Sequence, residues 1–124
     1  MPPNRTSSAA GCAPPPKVFT LYVVEIRIEE AARRHGIEDW EIRAIIEYPE
    51  CRIRLTPRRA GADPHLFAGR IYDQPPLEII ANLADEDAWT AFHAMLLRRS
   101  TALEADMDRL APGLFAAIVD HQRS

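Results

Sequence analysis

The chain has 124 residues, 47% apolar and 27% charged, with a net charge of −3. That length suffices for one ordinary core, and the composition excludes a chain that is disordered throughout. The negative total excludes a protein that coats DNA by bulk electrostatics. Residues 1–59 carry ten basic against eight acidic side chains, and residues 60–124 carry five against ten. Every basic side chain except Lys17 is arginine. That bias suits bidentate contact with phosphate or carboxylate, and a GC-rich genome produces it as well.

Pro2, Pro3 and Asn4 are followed by no apolar stretch of the secretory type, and the longest apolar run, around residues 21–24, is far too short for a bilayer. Cys12 and Cys51 lie in unlike contexts, one in a tail and one in a strand. The expectation is a cytoplasmic protein without a disulfide framework and without membrane contact.

In chain order, residues 1–17 hold five prolines among Ser, Thr, Ala and Gly and read as a disordered tail. From Val18 to Ile28 β-branched residues alternate with Glu25 and Arg27, which predicts a strand. Residues 29–35 predict a short helical turn, and Gly36 fits its left-handed end. A second helix is expected from Glu38 or Asp39, its apolar stripe formed by Ile42, Ile45 and Ile46 and its stop by Pro49.

A meander follows. Cys51, Ile53 and Leu55 alternate with Arg52 and Arg54. Residues 57–64 read as a turn and 65–73 as a strand, with a further turn at Asp73-Gln74-Pro75-Pro76. Residues 77–83 read as a strand, 85–87 as a charged hairpin loop and 88–97 as the last strand. Short connections imply antiparallel pairing. Leu103, Met107 and Leu110 then share a helical face, and after Pro112-Gly113 a second apolar face is formed by Leu114, Phe115, Ile118 and Val119. The expected class is α+β: a small antiparallel sheet of four to five strands with short N-terminal helices over residues 18–99, and a helical extension over 100–124.

No phosphate-binding glycine loop, dinucleotide fingerprint, nucleophile elbow or zinc spacing occurs, so no cofactor and no metal is expected. What is left is arginine, histidine and a few carboxylates. His93, in Phe92-His93-Ala94-Met95, shares a face with Trp89, Ala91, Met95 and Leu97 if its strand is regular. It reads either as a satisfied core histidine or as a general acid/base, its ordinary pKa of about 6.5 allowing both directions of transfer. Arg98 and Arg99 end that strand, either solvated or poised to stabilise charge on a phosphate. Arg33, Arg34 and His35 close the first helix, where they oppose its dipole or line a groove. Arg52, Arg54, Arg58 and Arg59 form either a solvated edge or a contact surface for RNA phosphates or an acidic partner. Glu78 points to solvent, to a salt bridge or, near a histidine or arginine, serves as a base.

Arg34-His35-Gly36-Ile37, a short helix, a meander containing Leu77-Glu78-Ile79-Ile80, and Phe92-His93-Ala94-Met95 with Arg98 together resemble the small BrnT-like toxins of bacterial toxin–antitoxin modules, above all their actinobacterial members. The resemblance spans roughly residues 26–99. It implies a RelE-like fold, ribonuclease activity on RNA, and a small antitoxin partner. Carried over by position, it implies a catalytic set of Arg34, His35, Glu78, His93 and Arg98, with Arg52, Arg54, Arg58, Arg59 and Arg99 on the RNA- or partner-binding surface. Two other functions stay open. One is a non-catalytic module that self-associates as a homodimer or binds a partner through its C-terminal helices. The other, a DNA-binding regulator, has neither a helix-turn-helix pattern nor the charge for it.

Overall fold

The computed structural model describes residues 25–85 and 88–123. The expected tail over residues 1–17, the strand residues before 25 and the tip of the last hairpin lie outside them. The strands are β1 (Glu25–Ile28), β2 (Cys51–Arg54), β3 (Pro64–Gly69), β4 (Leu77–Asp85) and β5 (Ala88–Leu96). A 3-10 turn at Glu30–Arg33 and helix α1 (Asp39–Glu47) lie between β1 and β2, and three short helices close the chain: α2 (Arg99–Glu104), α3 (Met107–Leu110) and α4 (Pro112–Ala116).

The local signals act where the sequence places them. Gly36 takes φ 76°, the left-handed geometry that ends the turn before α1. Glu38 caps α1 reciprocally with Glu41, each carboxylate accepting a backbone N–H of the other. Ile42, Ile45 and Ile46 are buried along one stripe of that helix.

The five strands form one open sheet in the order β1-β5-β4-β3-β2. β2 to β5 is the expected antiparallel meander. β1 corrects the expectation of a wholly antiparallel sheet: it runs parallel to β5, Glu25 opposite Ala88 and Ile28 opposite Ala91. The reason is connectivity, because β1 and β5 are the first and last strands and no hairpin constrains their sense.

Each face of the sheet has its own core. On one, Ile26, Phe67, Leu77, Ile79, Trp89, Ala94 and Leu96 pack with Ile42, Ile45 and Ile46 of α1. On the other, Cys51, Leu66, Ala68 and Leu97 pack with Ala102, Met107, Leu114 and Ile118 from the C-terminal segment. The segment after residue 99 therefore lies on the sheet. Its apolar face differs from the helical stripe expected, since Leu103 and Leu110 are exposed while Ala102 and Met107 are buried. Asp106, at φ 59°, breaks the helix between Leu103 and Met107 and rotates one half against the other.

Two further features depart from the sequence reading. β3 ends at Gly69, where an added Cβ would lie 3.3 Å from both the Glu50 backbone nitrogen and a methyl of Ile45. Arg70 there binds Glu50 through its backbone N–H and its guanidinium. Cys51 is disulfide-bonded, which corrects the expectation of a chain without a disulfide. No helix among the described residues is long and apolar enough to cross a membrane.

Candidate active site

β4 is central in the sheet and carries Glu78 opposite Met95 of β5. Strand alternation turns Leu77 and Ile79 toward α1 and Glu78 toward the C-terminal helices. A regular β5 would set His93 on the same side as Trp89 and Ala91. It is not regular. Ala81 pairs with Ala91 and Ile80 with His93, leaving Phe92 as an extra residue. This bulge inverts the alternation, so Trp89 and Ala91 face α1 while His93 joins Met95 and Leu97 on the side of Glu78. The expected shared face of His93 with Trp89 and Ala91 is corrected by that single residue.

The outcome is a compact trio. The Glu78 side chain is fully buried, with 0% exposure. His93 Nε2 lies 2.8 Å from Glu78 Oε2. Arg98 donates three hydrogen bonds to the same carboxylate: its backbone N–H to Oε1 at 2.9 Å, Nε to Oε1 at 3.3 Å and Nη2 to Oε2 at 2.8 Å. Burial pushes the Glu78 carboxyl up, but hydrogen bonds from His93 and Arg98, and the arginine's charge, outweigh it and hold the group below the ordinary carboxylate range. The hydrogen bond to Glu78 in turn raises the Arg98 guanidinium above its ordinary value.

Exposure is graded outward from the carboxylate. The side chains of His93 and Arg98 are 24% and 45% exposed. An ionised Glu78 carboxylate can only accept, so His93 Nε2–H donates their hydrogen bond and Nδ1 lies outside it. Arg98 spends Nε and Nη2 on Glu78, and Nη1 stays outside that contact. Half-buried His35 places its ring centroid 6.4 Å from that of His93, at 65° between planes.

The other candidates are distributed elsewhere. Arg34 is exposed beside His35, and none of the hydrogen bonds found among the described residues joins it to the trio. Arg99 turns toward Asp120 at 3.3 Å and stacks over Phe115. Arg52 and Arg54 project from the α1 face of β2, opposite to Glu78 and His93. The Arg52 guanidinium lies 4.9 Å from the Trp89 ring centroid and 5.6 Å from that of Phe67. Arg54 binds Asp63 at 2.9 Å. Arg58 and Arg59 are exposed in the turn between β2 and β3. The arginine edge and the trio are thus separate regions. Sequence reading missed the Arg98 backbone N–H as a ligand of Glu78, and no side-chain signal could have revealed it.

Comparison with known proteins found no matching family model, no matching curated protein and no matching solved structure.

Proposed function

We propose that the chain is a metal-independent endoribonuclease acting as the toxin of a toxin–antitoxin pair, the function implied by the resemblance to BrnT-like toxins. The observation that supports it is the Glu78 carboxylate, buried and shared between a half-exposed histidine and a half-exposed arginine. Glu78 has no exposed atom with which to meet a substrate, so its part is positioning: it fixes the His93 tautomer and holds Arg98 in place.

In this mechanism His93 Nδ1 takes the proton of a ribose 2′-hydroxyl, and the 2′-oxygen attacks the adjacent phosphorus. The bond from phosphorus to the 5′-oxygen breaks, and protonated His35 supplies that leaving oxygen with its proton. Arg98 stabilises the charge on the phosphoryl oxygens. The products are a 2′,3′-cyclic phosphate and a 5′-hydroxyl, and the step balances without a metal. Arg52, Arg54, Arg58 and Arg59 serve a more remote stretch of RNA or the antitoxin.

The test is twofold: growth after induced expression, and end analysis of RNA treated with purified protein in the presence of a chelator. Wild type is expected to arrest growth and leave cyclic-phosphate ends. His93→Ala is expected to lower cleavage by roughly 100-fold or more with the fold intact, and Arg98→Ala by a similar factor. A well-expressed, folded wild type that neither arrests growth nor cuts RNA would overturn the proposal. The second reading, a non-catalytic module, is favoured by exposed Leu103 and Leu110 on α2 and α3. It predicts self-association that charged substitutions at both leucines abolish.

A further inference from the structure

At the end of the sheet where β3 passes into β4, a groove of about 600 Å³ opens between the first turn of α1 and the β3–β4 connection. That volume suits a nucleotide-sized ligand, small-molecule sites falling at roughly 300–1,000 Å³. Two large aromatic side chains stand in water on it: Trp40 is 58% exposed and Tyr72 94%. Neither is explained by packing.

Tyr72 is also held in an unfavourable backbone conformation. It takes φ 54°, in a turn closed by the Gln74 N–H donating to the Ile71 carbonyl at 3.0 Å. Glycine serves such a position without steric cost, and asparagine tolerates it. An aromatic residue there adds strain and gains no burial, a combination that calls for a role outside the fold.

The rest of the groove suits a planar ring with polar edges. Pro75 forms part of the wall, and Leu77 and Leu96, paired across β4 and β5, form the apolar floor. Gln74, His121 and Arg123 supply polar groups at the rim, with Arg123 anchored by two hydrogen bonds to Glu41, at 3.1 and 3.0 Å. Leu77 precedes Glu78 in the chain, and Leu96 lies two residues before Arg98. The groove and the trio therefore share one end of the sheet on opposite faces, and one strand turning around that end can reach both.

We infer that this groove binds an unpaired nucleobase of the RNA substrate, stacked on Trp40 and Tyr72. The inference rests on the RNA-cleaving reading and deepens it, because it makes the substrate single-stranded. A duplex keeps its bases stacked inside, whereas an unpaired base offers its faces to aromatic side chains.

The test measures binding of a short single-stranded oligoribonucleotide to the His93→Ala protein, so that turnover does not interfere. Trp40→Ala and Tyr72→Gly are each expected to weaken binding roughly tenfold, and binding is expected to quench Trp40 emission. Both positions are on the surface, and Tyr72→Gly relieves strain, so its melting temperature is expected to hold or rise while affinity falls. A residue that merely shapes the hairpin would not separate the two readouts. Undiminished binding by both variants overturns the groove and leaves the ribonuclease reading standing. Absence of RNA binding by the otherwise unaltered groove overturns both.

Discussion

Two histidine–carboxylate pairs occupy opposite faces of the same sheet, and their burial is reversed. In the first, the Glu78 carboxylate is fully buried while His93 is partly open to solvent. In the second, His65 is buried against Trp89, ring centroids 4.9 Å apart, and Asp63 is the more open partner, 3.1 Å from His65 Nε2. A buried carboxylate with an accessible histidine leaves the second ring nitrogen outside their hydrogen bond. A buried histidine with an accessible carboxylate is a packing element with one satisfied polar edge. Charge makes the same distinction: Glu78 is held ionised by His93 and Arg98, whereas burial first, and then the charge of Arg52, push His65 below its ordinary value toward the neutral ring.

The contrast breaks most sharply at Glu78. Glu78→Ala removes the shared anion and leaves His93 and Arg98 without their partner. It should lower stability by about 3 kcal/mol, the range for breaking a buried ion pair, measured by denaturant unfolding. The corresponding change at Asp63 should cost less, about 1–2 kcal/mol, since Arg54 is largely exposed and the neutral ring of His65 alone loses a buried hydrogen bond. Equal losses at the two sites would contradict the assignment of roles.

The pairs should also separate by pH. Both groups have folded pKa values below their unfolded ones, so each adds stability at higher pH that is lost on acidification. For His65 that stability is complete above its ordinary value of 6.5 and fades as pH falls through the folded value. For Glu78, assisted by Glu41, it is complete above 4.5 and fades below. Unfolding followed from pH 7 to 3 should show two declines, with His65→Gln removing the upper one and Glu78→Gln weakening the lower. A single decline that neither variant alters would refute this assignment.

The smallest effect is expected from Arg52. Its guanidinium lies over two rings, a contact worth about 0.5–1 kcal/mol at a partly exposed site. Arg52→Lys should cost less than Arg52→Ala by thermal unfolding, because an ammonium keeps some of the attraction. A loss as large as that at Glu78 would give the arginine edge a structural weight that the geometry denies it.

Most of the element order was legible. Alternation at residues 51–55, helical spacing at Ile42, Ile45 and Ile46, and punctuation by Gly36 and Pro49 are local signals, and the chain obeys them locally. Glu78, His93 and Arg98 were legible as residue types in a sequence pattern. Their contact was not, because it depends on Phe92 being extra in β5, and a bulge is written in the pairing of two strands rather than in either one. Leu103 and Leu110 misled for a similar reason. Helical spacing predicts one continuous stripe, and the left-handed Asp106 interrupts it.

By itself, then, the sequence determined the α+β class, the meander from β2 to β5, the stripe of α1 and the chemical types available for a site, since periodicity, capping and turn chemistry act over a few residues. Only the tertiary structure decided that β1 runs parallel to β5, that Glu78 is the buried member of its trio, and that Trp40 and Tyr72 meet at one groove. Each of these depends on strands and loops far apart in the chain, where packing and register, not local preference, set which side chains meet.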